Sequence, residues 1–117
     1  MIPSGVAIYI ALEPVDMRYS FDRLSGLAKE QVGYDARSGA LFIFRGRRGD
    51  ALKVLFFDGS GMCVFYKRLD RGTFRMPAPH REGARHVEVD EATLEALLDG
   101  IDVEDAPPAS LRRSRVH

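Results

Sequence analysis

The sequence has no tryptophan and a single cysteine in 117 residues, and no apolar run approaches the ~20 residues that a membrane-spanning helix needs. Lone Cys63 excludes an intramolecular disulfide, and no Cys and His spacing suits zinc. There is no P-loop, no G-x-S-x-G elbow, no H-E-x-x-H and no dinucleotide fingerprint, so no cofactor is expected. The opening Met-Ile-Pro-Ser-Gly lacks the charged and apolar regions of a secretory signal, so a cytoplasmic location with no membrane partner is expected. What remains is 45% hydrophobic and 29% charged, the composition of a globular protein. One domain of this length buries roughly two-thirds of its unfolded surface, enough for a core without disulfides.

Net charge is also missing, with 17 Lys and Arg against 17 Asp and Glu. The balance is a cancellation between segments. Residues 1–40 carry four basic and five acidic side chains, 41–85 carry ten and four, 86–105 carry none and eight, and 106–117 carry three and none. Neutrality in total therefore does not argue against a polyanionic partner, since segregated charge acts locally.

Residues 6–12 read as a first strand closed by Pro14. Asp16 is positioned as an N-cap, and Met17, Phe21, Leu24 and Leu27 or Ala28 recur at helical spacing, which predicts an amphipathic helix over 17–32 stopped by Gly33. Its apolar stripe is a core face. Three strand-like runs follow, 41–45, 52–58 and 62–69, separated by turn-forming segments 46–50 and 59–61, and they predict an antiparallel meander. The second and third runs are apolar on both faces, as central strands covered on both sides would be. A Pro-containing loop over 73–83 is expected to be mobile. A short strand at 86–89 precedes a helix over 90–99 capped by Asp90 and stopped by Gly100, while 104–117 reads as a flexible basic tail. The expected architecture is α+β: a single domain over 1–103 with a mainly antiparallel sheet, a central three-stranded meander and two packed helices, the second at an edge or on the face opposite the first.

In an up-down-up meander the 46–50 turn and the end of the third strand share one edge of the sheet, with the outer strands about 10 Å apart. Arg45, Arg47, Arg48, Lys67, Arg68 and Arg71 are thereby expected along one rim, with Tyr66 nearby. Such a rim can contact DNA phosphates, or its side chains can be solvated and partly paired with Asp50 and Asp70. Arg48-Gly49-Asp50 also matches an extracellular adhesion motif, but Gly-Asp is ordinary hairpin chemistry in an intracellular chain. Cys63, in an apolar run, reads as a small core residue. Asp16, Asp50, Asp58 and Asp70 are the carboxylates that could hold a catalytic metal, although turns and caps use Asp at such positions routinely.

The opening Met1-Ile-Pro-Ser-Gly5, Asp16-Met17-Arg18 with Phe21-Asp22, and the 34-residue block LFIFRGRRGDALKVLFFDGSGMCVFYKRLDRGTF over 41–74 closely resemble the small second-open-reading-frame product, there called TnpB, of the sixty-six family of bacterial insertion sequences. The resemblance runs over 1–103. It does not extend to the much larger RNA-guided nuclease that shares the name. It implies a non-enzymatic accessory protein that works beside the element's large transposase, and no catalytic residue is carried over. Motif positions include Arg45, Arg48, Lys53, Tyr66, Lys67 and Arg68; Tyr19 departs from the pattern, where a basic residue is usual. Two roles follow as expectations. The rim could contact DNA, or the acidic segment with Glu91, Glu95 and Asp99 could bind the transposase or another element-encoded protein; one chain could do both. A homodimer is a further expectation if an apolar sheet face is left open.

Overall fold

The computed structural model describes residues 5–100, so the expected tail over 104–117 and the last residues of the 1–103 domain lie outside it. Five strands form one sheet: β1 (Ile8–Ala11), β2 (Leu41–Arg45), β3 (Ala51–Phe57), β4 (Met62–Arg68) and β5 (His86–Val89), in the order β4-β3-β2-β1-β5. Only β1 and β2 run parallel; the other neighbours are antiparallel, which makes the fold α+β with a mainly antiparallel sheet. A parallel pair needs a long crossover, and the helical segment between β1 and β2 supplies it.

Helix α1 covers Phe21–Leu27 and continues as a wider π turn over Ala28–Val32. It is shorter than the predicted 17–32 because Asp16 does not cap it. The Asp16 carboxylate accepts the backbone N–H of Arg18 at 2.8 Å, and the Tyr19 N–H donates to the Asp16 carbonyl, so 16–19 closes into a turn of its own. Leu24, Leu27 and Ala28 pack into the core as expected, whereas Phe21, at the first helical residue, stays 43% exposed. Gly33 ends the segment with a left-handed φ of 95°. Helix α2 (Glu91–Leu98) has the predicted cap, with the Asp90 carboxylate accepting the Thr93 N–H at 2.8 Å.

The two helices lie on opposite faces. On the α1 face Leu24, Leu27 and Ala28 meet Tyr9, Phe42, Phe44 and Leu55; on the other, Leu94 and Leu97 meet Ile8, Ile10, Ile43, Leu52 and Val87. β1 and β2 are the most enclosed strands, because both are apolar on both faces and lie inside the sheet, with only Arg45 at the end of β2 half-buried. The meander occupies one half of the sheet, and its third strand is an edge. The expectation that β4 is covered on both sides is corrected accordingly, since Phe65 and Tyr66 stay 36% and 47% exposed. α2 starts beside Gly5 and ends beside Lys67, so it crosses its face obliquely and leaves two corners. The 73–83 loop fills one of them. Phe74 is 4% exposed in the α2-side core, and its N–H donates to the Gly49 carbonyl at 2.7 Å, so this end of the loop is anchored rather than mobile. The other corner is an open apolar cleft of about 360 Å³ lined by Leu41, Phe56, Phe65, Leu94 and Leu98 among others.

Gly49 sits at φ 80° in the β2–β3 turn, and a Cβ there would meet Thr73 at 3.4 Å. Replacing Gly49 with Ala is expected to cost about 1–2 kcal/mol from the left-handed backbone alone, read as a lower urea midpoint.

Candidate nucleic-acid interface

The turn between β2 and β3 displays Arg47 and Arg48 because its backbone is tied at both sides. The Gly46 N–H donates to the Ala51 carbonyl, Gly49 closes the tight bend onto the Gly46 carbonyl, and the Leu69 N–H donates to the Asp50 carbonyl at 2.8 Å. Both guanidiniums are exposed. They line a depression of about 210 Å³ together with Arg68, Arg18, Asp16 and Asp50. Asp16 is committed to Arg18, which donates to it through Nε at 3.0 Å and Nη2 at 2.7 Å. Those hydrogen bonds hold its carboxyl far below the usual carboxylate range, with a smaller contribution from the charge of Arg47. The depression therefore presents four guanidiniums against two carboxylates, one of them already paired.

Register decides which cations join this group. Ala51 opposes Arg68, while Arg45 opposes Leu52, which in turn opposes Lys67. Directly opposed residues share a face of the sheet. Arg68 thus lies on the α1 side with Tyr66 and Lys53, whereas Arg45 and Lys67 lie on the α2 side with Leu52. Lys67 has a structural duty there: its ammonium donates to the carbonyl of Leu98 at 2.5 Å, satisfying the C-terminal end of α2, where the helix dipole favours a cation. Arg45 is half-buried, with its Nε enclosed and unpartnered. Arg71 is exposed beyond β4 and does not line the depression. The six rim cations are thus split by the pleat: Arg47, Arg48 and Arg68 converge, and Arg45, Lys67 and Arg71 do not join them. Among the described residues none of the six has a carboxylate within 4.0 Å, so the pairing with Asp50 and Asp70 considered above is not formed at ion-pair distance.

An aromatic group adjoins the cations. The Tyr66 ring has the Lys53 ammonium 5.4 Å and the Arg68 guanidinium 5.9 Å from its centroid, and Arg68 donates to the Tyr66 hydroxyl at 2.8 Å. Lys53 is fixed by donating to the Tyr19 carbonyl at 2.7 Å, and Arg23 lies over the Tyr19 ring at 5.2 Å. The result is a surface on which cations alternate with tyrosine rings.

The family model described as IS66 Orf2 like protein matches residues 6–107. The chain belongs to this family. Two relatives of the IS66 Orf2-like chain are the uncharacterized proteins y4hO and y4jC of Sinorhizobium fredii (strain NBRC 101917 / NGR234). The first is 44% identical over 104 residues, covering 87% of this chain and 88% of the relative. The second is 37% identical over 98 residues, covering 84% and 81%. No solved structure matches. Membership supports an accessory role in the transposition of a bacterial insertion sequence.

Lys53, Tyr19 and Arg23 were not among the rim residues read from the IS66 Orf2-like sequence. Lys53 carried a signal, being the one charge inside an otherwise apolar β3. Tyr19 stood out only as a departure from the family pattern and Arg23 not at all; the turn before α1 places the first and the start of α1 the second. Elsewhere, Arg85 is paired with Glu13 and Glu30. Glu91, Glu95 and Asp99 recur every four residues along α2, with Glu95 and Asp99 exposed and Glu91 accepting the Gly5 N–H at 3.3 Å. Asp58 sits at the opposite end of β3 from Asp50, where hydrogen bonds from the backbone of Ser60 and Gly61 pull its carboxyl down to about 2. Among the described residues no group of three or more His, Cys, Asp or Glu is placed to hold a metal, and no helix is long and apolar enough to cross a membrane.

Proposed function

We propose that this IS66 Orf2-like protein assists transposition as a non-catalytic DNA-contacting subunit, using the α1-side surface of Arg47, Arg48, Arg68, Lys53 and Tyr66. The observation that carries the reading is the convergence of Arg47, Arg48 and Arg68 with no carboxylate at ion-pair distance among the described residues. Guanidiniums without carboxylate partners are suited to phosphate oxygens, and contacts of this kind position a protein without reading sequence. The Tyr66 ring, flanked by two cations, offers a stacking face to an unpaired base. The test is fluorescence anisotropy with duplex DNA from the ends of the element across a salt series. Binding whose logarithm falls linearly with the logarithm of salt supports the reading, and affinity indifferent to salt counts against it.

The regular spacing of Glu91, Glu95 and Asp99 along α2, on the face opposite the cations, favours a second and compatible role: an acidic surface that steers a basic DNA-handling partner such as the large transposase. Charge-neutral substitution of all three is expected to lower capture of the transposase in a pull-down at low salt. Undiminished capture would remove this surface as the docking site.

A further inference from the structure

We infer that two copies of this chain join through their β4 edges, in antiparallel register about Phe65, to form one continuous ten-stranded sheet. The inference goes beyond the DNA-contacting role and does not depend on it. Among the described residues nothing pairs with the outer side of β4, which closes the sheet order at that end. Five successive apolar residues, from Met62 to Tyr66, lie on this open edge, the kind of strand that proteins normally protect.

Hydrogen-bond alternation shows which backbone groups are free. The Asp58 N–H donates to the Gly61 carbonyl and the Leu69 N–H to the Asp50 carbonyl, so the 58/61 and 50/69 positions are hydrogen-bonded pairs. Antiparallel ladders alternate, so Cys63, Phe65 and Lys67 also turn their N–H and C=O toward β3. Met62, Val64, Tyr66 and Arg68 turn theirs outward.

A second β4 running antiparallel and centred on Phe65 satisfies every one of these groups. Met62 opposes the partner's Arg68, Val64 opposes the partner's Tyr66, and the two Phe65 rings face one another. Registers centred on Val64 or Tyr66 leave outward residues of each copy unpaired. The charges also fit: Lys67 lies opposite the partner's Cys63 and Arg68 opposite the partner's Met62, so no cation opposes a cation, which would be destabilising. Each Asp58, at the hairpin tip, is brought to the end where the partner's Lys67 and Arg68 sit. On the α2 side Phe65 borders the apolar cleft, so the two clefts adjoin across the axis. That axis stands perpendicular to the sheet, and both Tyr66 rings face the same side.

The experiment uses the full chain. Sedimentation is expected to give twice the chain mass, with the amides of Val64 and Tyr66 protected from hydrogen exchange at high concentration and exposed on dilution. In the double variant Cys63→Ser, Phe65→Cys, the two introduced thiols fall across a non-hydrogen-bonded pair, where Cα atoms lie about 4.5 Å apart, within disulfide reach. Mild oxidation should therefore give a reducible covalent dimer. The unmodified chain should not crosslink, because its two Cys63 are four residues out of register, roughly 13 Å along the strand. A monomer at all concentrations overturns the inference. So does a dimer whose Val64 and Tyr66 amides exchange freely, or one that crosslinks through Cys63 and not through the Phe65→Cys position.

Discussion

Replacing Arg47, Arg48 and Arg68 together with Ala is expected to weaken binding to element-end duplex DNA by roughly 500-fold at 0.1 M salt. Each cation that neutralises one duplex phosphate adds about 0.9 to the slope of log affinity against log salt, so the triple variant should lose about 2.7 from that slope. Over the decade from 1 M down to 0.1 M salt that loss amounts to the stated factor. The three side chains leave no carboxylate at ion-pair distance behind them among the described residues, so their removal strands no buried charge. Arg47, Arg48 and Arg68 are all exposed, and the variant should keep the parent's urea midpoint. Lys67→Ala is the informative contrast. Its ammonium is spent on the Leu98 carbonyl on the other face, so affinity for DNA should change by less than about twofold while stability falls, by the ~1 kcal/mol typical of a net hydrogen bond or somewhat more for a charged one. Equal losses of affinity for Lys67→Ala and the triple variant would mean that DNA approaches the rim end-on, and not the α1 side.

Phe74→Ala is expected to destabilise the chain by about 3–5 kcal/mol, measured by urea unfolding with an unchanged slope. Phe74 is 4% exposed and closes the corner that oblique α2 leaves over Ile43 and Leu52, so truncation opens a cavity in a rigid surround. Its N–H also ties the loop to the Gly49 carbonyl, and loss of the ring should free the turn that displays Arg47 and Arg48. Total stability of a domain is about 5–15 kcal/mol, so the change is a large fraction of it. Phe21→Ala, at a ring left 43% exposed, should stay within about 0.5 kcal/mol. The two phenylalanines reverse what local patterning implied, since Phe21 fell on the apolar stripe of a helix and Phe74 in a Pro-containing loop.

Much of the architecture was legible in local signals. Short apolar runs bounded by the turn segments 46–50 and 59–61 specify the three meander strands, because run length and hairpin closure act over a few residues. Asp90 capping α2 and Gly33 ending the first helical segment are equally local. Asp16 misled for the same reason: a short acidic side chain can cap a helix or close its own turn, and Arg18 two residues on drew it to the latter.

Charge segregation, the family motifs and the identity of the strands were thus determined by the sequence itself. Only the tertiary structure decided that β4 is an edge, that Phe74 belongs to the core, and that the cations of one rim are divided between two faces. The reason is geometric. Distance along a rim follows from turn length, but the side of the sheet on which a residue emerges depends on cross-strand register, and a shift of one residue reverses it. Arg68 opposite Ala51 and Lys67 opposite Leu52 differ by that single step. One faces the surface proposed to contact DNA, and the other holds the end of a helix.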